Sequence, residues 1–182
     1  ISEVVTGARQ VMDYVKEIAG LYAQNNQLMS WTTPTGFLVE QRYFKKKTRR
    51  VTTHLMDKKI EIDYKEDRAV VDPSKYRTSS SPNFVHSMDA AHLTLTVNRC
   101  IEYGLQEFAM IHDSFGTHSP NLPILNQSIR ESFVSLYSEN DVLGQLYETA
   151  RNELPYGTEV PKPPAKGTLD LEQVLCSDYF FA

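Results

Sequence analysis

Apolar residues recur at helical spacing at Val4, Ala8, Val11, Val15, Ile18 and Leu21 or Tyr22, with Arg9, Asp13, Lys16 and Glu17 on the other side. That spacing predicts an amphipathic helix over residues 3–23, stopped by Asn25-Asn26. Leu28 to Tyr43 reads as two short strands around the turn Thr33-Pro34-Thr35-Gly36. Trp31 and Phe37 flank that turn, where cross-strand packing is the commoner fate of aromatics and nucleic-acid contact the alternative. Val51–Met56 and Ile60–Tyr64 alternate as strands joined at Asp57-Lys58-Lys59, giving a second hairpin with a charged tip. Lys65 to Ser81, with mixed charge, Pro73 and the run Thr78 to Ser81, reads as an exposed connection.

Helical periodicity returns from Asn83 to Tyr103, with Phe84, Met88, Ala91 and Leu95 on one stripe, Asn83 as candidate cap and Gly104 as the stop. Phe108 to Ile111 then predicts a strand running into the polar tip His112-Asp113-Ser114, and Gly116 is placed to ease a tight reversal. Leu125–Tyr137 and Val142–Leu154 predict two more amphipathic helices, with Ser138 or Asp141 as the cap between them. Pro155 to Gly167 reads as an extended crossing segment, Leu169–Leu175 as a short helix. The ending Tyr179-Phe180-Phe181 is unlike a solvated tail and predicts packing back on the body. The class is α+β, helices packed around short antiparallel hairpins.

Composition adds little to this picture. At 182 residues, 41% hydrophobic and 10% aromatic, the chain holds enough apolar surface for a core. It shows no membrane span, signal peptide or lipidation signal. Cys100 and Cys176 lack zinc or disulfide-framework spacing, and the five histidines lack ligand spacing. The net charge of −4 does not by itself suggest nucleic acid. Its distribution does: Arg42, Lys45, Lys46, Lys47, Arg49 and Arg50 fall within nine positions, a block suited to phosphates, though Lys at a solvated edge strand has the simpler purpose of blocking aggregation.

The densest candidate chemistry is His112-Asp113. Asp113 is short and acceptor-only, so at a rigid turn it can offer oxygen to Mg²⁺, which ordinarily takes one or two carboxylates plus substrate phosphates. Asp and Ser serve at least as often simply to cap a β-turn. His86 and Asp89 lie three apart on one helical face, a pairing that orients a histidine or merely decorates a surface.

Three strings in order, SPNFVHSMDAAHL from Ser81, HDSFGTH from His112 and the terminal SDYFFA, resemble the C-terminal part of a single-subunit, bacteriophage-type DNA-directed RNA polymerase. The resemblance covers essentially the whole chain, strongly from Pro82 to Tyr137 and from Pro164 to Ala182. Before Ser81 it rests on pattern and on Trp31-Thr-Thr-Pro-Thr-Gly-Phe37. Ser114-Phe115-Gly116 after His112-Asp113 looks like the phage form rather than the mitochondrial one.

The resemblance implies part of a right-hand polymerase: residues 1–43 in the fingers, 44–81 as specificity-loop hairpin and connection, 82–154 as the C-terminal half of the palm, and 155–182 as an extension returning to the active site. It implies nucleotidyl transfer from NTPs to RNA on a DNA template with two Mg²⁺, Asp113 as metal ligand, and His112 and His86 at the catalytic centre, His86 near the nucleic-acid backbone. Promoter contact falls to Arg42, Lys45, Lys46, Lys47, Arg49, Arg50, Thr52, His54, Lys58 and Lys59. Phe181 and Ala182 are implied at the active site. The family's earlier palm Asp and its finger helix with Lys and Tyr have no counterpart here. With Ile1 rather than Met at the start, the expectation is a piece of a longer enzyme, inactive alone, working with its N-terminal remainder in the cytoplasm of an infected bacterial host. The contrasting expectations are a naturally separate nucleic-acid-binding subunit of a split polymerase, or a palm-type DNA polymerase fragment.

Overall fold

The computed structural model describes residues 6–56 and 58–180. Helices and three separate two-stranded antiparallel hairpins make a mixed α+β fold. Helix α1, Thr6–Gln24, buries Tyr14, Val15, Ile18, Ala19, Tyr22 and Ala23. The predicted stripe therefore holds from its second turn on, while Ala8 is exposed. The helix ends as Asn26 turns to φ 52°, in the left-handed region that Asn tolerates. Tyr22, fully buried, donates through its hydroxyl to Glu153 at 2.6 Å. Burial and that carboxylate both push its phenol pKa up.

Strands β1 (Ser30–Thr32) and β2 (Leu38–Glu40) pair with Trp31 opposite Val39. Gly36, at φ 82°, closes the turn, its amide donating to Thr33 O at 2.8 Å. Trp31 is buried against the Phe84 ring, centroids 5.6 Å apart, and its indole N–H donates to Ser87 Oγ at 2.9 Å. Phe37 does not pack and stands 69% exposed.

The second hairpin is far longer than its alternation suggests. Strand β3 runs Phe44–Leu55 and β4 runs Lys58–Val71, in register from Lys46 opposite Asp67 to Leu55 opposite Lys58. Residues 65–71, expected as connection, are strand. Both faces of this ribbon meet solvent, and its root half, residues 45–50 and 65–70, carries mostly charged residues on both sides with no period-2 signal.

Helix α2, Pro73–Glu102, starts ten residues before the expected boundary. Asp72 accepts from the amides of Ser74 and Lys75 at 3.1 and 3.2 Å, and Pro73 sits in the first turn, where its missing N–H costs nothing. Pro82 lies inside the helix, which at an unsupported site costs about 3 kcal/mol. Burial of Tyr76 and Phe84 in the apolar cluster on either side of it seats the helix there. Asn83 is consequently no cap. Its amide donates to Gln41 Oε1 and Tyr43 Oη, both at 3.0 Å. Gly104, at φ 82°, ends the helix with its amide on Ile101 O and that of Leu105 on Cys100 O.

Strands β5 (Phe108–Ile111) and β6 (Ser114–Thr117) follow, then α3 (Leu122–Ser138), α4 (Val142–Glu153) and α5 (Gln173–Cys176). Asp141 caps α4, and a Cβ at Gly144 would come within 2.3 Å of its carboxylate, so only glycine admits that cap. The short helix α5 is four residues rather than the expected seven.

Two apolar clusters result. One joins α1, Met29, Trp31, the first half of α2 and Leu146, Ala150 and Leu154. The other joins Cys100, Leu105, Leu125 and Ile129 with Phe108, Met110, Phe115 and Phe180. Ile18, wholly buried in the first, tests it: Ile18→Ala should lower unfolding free energy by about 2 to 5 kcal/mol, read as a lower urea midpoint at unchanged m.

Candidate functional site

The turn between β5 and β6 has two residues, His112 and Asp113, flanked by the pair Ile111 and Ser114. His112 sits at φ 56°, the left-handed conformation such a reversal needs. Gly116, expected to ease the turn, instead lies within β6 opposite Ala109, where a Cβ would touch Ala109 O at 3.6 Å. The tip is solvent-exposed on both His112 and Asp113.

Its underside is anchored by rings. Phe115 meets the His92 ring at 5.8 Å, His92 meets Phe133 at 5.7 Å edge-on, and Phe133 meets Phe180 at 4.9 Å. His92 is buried and its Nε2 lies 2.9 Å from Ile129 O, joining α2 to α3. Burial pulls the His92 pKa down, against the smaller opposing pulls of the Ile129 carbonyl and the Asp89 charge. A second tie between these helices lies at Glu131, which accepts from Tyr103 Oη at 2.7 Å and Arg99 at 3.0 Å, and from Gln127 on its other oxygen at 2.7 Å. Partial burial raises the Glu131 pKa, but these donors outweigh it and hold the carboxyl below its ordinary value.

The tail therefore does return to the hairpin, through one ring. Phe180 packs there, whereas Tyr179, expected to do likewise, is 91% exposed. Phe181 and Ala182 lie outside the described residues. His86 and Asp89 are exposed on α2 rather than at a helix start, and no hydrogen bond joins them among the described residues. His86 lies six residues before His92 on α2, about 9 Å along the axis. Among the described residues, no three acidic, His or Cys side chains gather as a metal-holding group. Asp113 thus brings one hard oxygen ligand, a donor suited to Mg²⁺ but too few to retain it alone.

The β3–β4 ribbon is basic by count. Nine Lys or Arg stand against five Asp or Glu over residues 44–71 in a chain of net charge −4. Geometry divides these cations. Arg50 makes a two-pronged bond to Asp63 at 2.7 and 2.9 Å, which raises its own pKa and lowers that of Asp63. Lys46 pairs with Asp67 at 3.8 Å, Arg49 with Glu66 at 3.5 Å, Lys59 with Glu61 at 2.8 Å, and Arg42 with Glu40. Lys45, Lys47 and Lys58 have no ion pair among the described residues. Thr52 and His54 share the Arg50 face, opposite Glu61 and Lys59. Such exposed pairs are worth under about 1 kcal/mol and exchange readily for a phosphate partner.

The hairpin's root is built from residues that sequence inspection passed over. Asn26 accepts from Val71 N at 2.8 Å and donates to Ala69 O at 3.2 Å. Asp72 N donates to Tyr43 O, and Tyr76 Oη to Gln41 O. The helix stop at Asn25-Asn26 was legible; the contact of Asn26 with Ala69, 43 residues on, was not.

A profile of the DNA-dependent RNA polymerase family matches residues 1–160. The chain belongs to that family, in its single-subunit, phage-type branch. It is similar over its whole length to DNA-directed RNA polymerase 3, chloroplastic, of Nicotiana sylvestris, at 39% identity, and to DNA-directed RNA polymerase 2, chloroplastic/mitochondrial, of Arabidopsis thaliana, at 38%. It spans 18% and 17% of those relatives' lengths. DNA-directed RNA polymerase 2A of Nicotiana tabacum matches at 35% over the whole chain and is spanned to 52%.

The ring chain behind Asp113 makes the polymerase hairpin sensitive to acid. His92 protonates near its ordinary 6.5 in the unfolded chain but only at lower pH when folded, so below 6.5 the unfolded state binds more protons. Thermal midpoints measured between about pH 5 and 8 should fall as pH drops through that value, and His92→Gln should flatten the acid limb.

Proposed function

We propose that this chain forms the C-terminal part of a promoter-dependent RNA polymerase, with the exposed Asp113 tip as its contribution to the catalytic centre. The observation that carries the reading is a lone carboxylate on a two-residue turn, braced from beneath by Phe115, His92 and Phe133, in a chain of this family. Residues 1–43 then belong to the fingers, 44–81 to the promoter-reading hairpin and the start of α2, 82–154 to the palm, and 155–182 to an extension directed at the active centre. The reaction joins the RNA 3′-hydroxyl to the α-phosphorus of an NTP, releasing pyrophosphate, on a DNA template. Two Mg²⁺ ions, when bound, supply charge neutralisation at the attacking and leaving oxygens. Asp113 offers one ligand, and the other carboxylate comes from outside these residues, so the chain alone is inactive. His112 orients the tip, and His86, exposed on α2, faces nucleic-acid backbone.

The ribbon β3–β4 suits major-groove reading, being long, exposed on both faces and locally basic. The SFG sequence after Asp113 supports a phage source, acting in the host bacterium's cytoplasm, although the relatives named above are plant organellar enzymes. The match to RNA polymerases leaves the DNA-polymerase alternative without support.

In the full-length polymerase, Asp113→Asn should cut nucleotide addition by roughly a thousandfold or more, since a lost metal ligand removes several kcal/mol of transition-state stabilisation. Promoter affinity in a gel-shift titration should stay at the parental value; equal losses of both would remove Asp113 from the chemistry. The free lysines make a second test. Lys45→Ala with Lys47→Ala should flatten the slope of log affinity for DNA against log salt by roughly 1.8, the release of two counterions. Arg50→Ala, which frees Asp63 as well, should change affinity without that simple slope; an unchanged slope in the lysine pair would take the ribbon's root off the phosphates.

A further inference from the structure

The register of the β3–β4 ribbon gives its outer half two unlike faces. Partners that stand opposite one another point to the same side, and successive residues point to opposite sides. One face therefore carries Arg50 against Asp63, Thr52 against Glu61 and His54 against Lys59. Its charges are matched within the face: Arg50 reaches both Asp63 and Glu61, and Lys59 reaches Glu61. The other face carries Val51 against Ile62, Thr53 against Ile60 and Leu55 against Lys58, six residues with no carboxylate among them. Leu55 is 61% exposed, Ile62 51% and Val51 42%, so the rest of the described chain leaves this strip in water.

Two strands alone are marginal in water and need a further strand or a packed layer to persist, and an exposed apolar strip on such a ribbon invites association. Three observations choose the cover. The strip is neutral except at Lys58, so along most of its length it offers phosphates nothing, whereas the opposite face presents Arg50, Thr52 and His54 to them. Lys58 closes the outer end of the strip and has no ion pair among the described residues, which matches a surface that is apolar in the middle and acidic at that end. The chain spans 18% of the chloroplastic relative from Nicotiana sylvestris, so most of a polymerase of that length lies elsewhere and can supply such a surface.

We propose that the strip of Val51, Thr53, Leu55, Ile60 and Ile62 is a docking face: in the intact polymerase it packs on an apolar surface with an acidic end, in the part of the protein outside these residues. The Arg50 face is left free for DNA. The outer ribbon is then the second layer of a protein interface as well as a basic arm, and Lys58 belongs to that interface rather than to the promoter contacts. This rests on the chain being part of a longer polymerase, and not on the ribbon's role in reading promoters.

The test uses the full-length polymerase with one added cysteine at a time, Val51→Cys or Ile62→Cys on the apolar face and Thr52→Cys or His54→Cys on the charged one. Maleimide labelling is followed by mass on the ribbon peptide, which keeps Cys100 and Cys176 out of the signal. Without DNA, the apolar-face cysteines should label on the order of tenfold more slowly than the charged-face pair, and serial dilution of the protein should not change that ratio. Lys58→Glu should speed labelling at Val51→Cys, and Lys58→Arg should not; an unchanged rate in Lys58→Glu overturns the acidic end. Equal labelling of the two faces overturns the docking face. So does protection that appears only with promoter DNA, which puts nucleic acid on the apolar strip, and so does protection lost on dilution, which makes the cover a second copy of the protein. Promoter DNA should slow labelling at Thr52→Cys; if it slows neither face, the promoter-reading role fails while the comparison made without DNA still decides the docking. Should the cysteines loosen the ribbon, hydroxyl-radical oxidation of the unsubstituted polymerase makes the same comparison. Leu55 and Ile62 should be spared relative to the denatured chain and His54 should not, and full oxidation of all three overturns the proposal.

Discussion

One helix belongs to both hydrophobic clusters, and the rest of the structure is arranged along it. The first half of α2 gives Tyr76, Phe84 and Met88 to the cluster around α1, and its last turn gives Cys100 to the cluster beneath the Asp113 hairpin. At 30 residues α2 is about 45 Å long, so it fixes the distance between two parts that otherwise touch little. The β3–β4 ribbon hangs from one end through Asn83, Tyr76 and Asp72, and the carboxylate tip leans on the other through His92. Pro82 is the weak point of this beam, and Tyr76 and Phe84, buried on either side of it, seat the helix in the core there.

Where one face of an element is buried and the other wet, the chain announced it. Helices α1, α3 and α4 follow their apolar stripes to within a turn, and the β5–β6 turn stands where strand-forming residues give way to His112-Asp113. The first turns of α2 were hidden by Pro82 and by the Thr78–Ser81 run, whose small polar residues look like a linker until Ser80 and Ser81 are seen buried. The ribbon's length was hidden for the opposite reason. With no buried face, its register is written in charge pairing, Arg50 with Asp63 and Lys46 with Asp67, which becomes readable only once the turn is known.

The candidate site divides along the same line. Asp113 was legible because it is local, a polar tip between two strands. What supports it was not, because His92, Phe133, Arg130 and Phe180 come together from positions up to 88 residues apart. Of the terminal aromatics, Phe180 faces α3 while Tyr179 faces water. Burying one ring satisfies the geometry without burying its neighbour.

The ribbon's root has a geometric consequence of its own. A strand of 12 residues projects roughly 40 Å from the body at about 3.3 Å per residue, so the ribbon is a lever borne at its root by the hydrogen bonds of Asn26, Gln41, Tyr43, Tyr76 and Asn83 and by Val71 and Phe44 packed into the core. A rotation of about 5° at that bearing swings the far end by roughly 3.5 Å, one base-pair step along duplex DNA. Aim at the tip is therefore set at the pivot, by side chains that lie far from the tip itself.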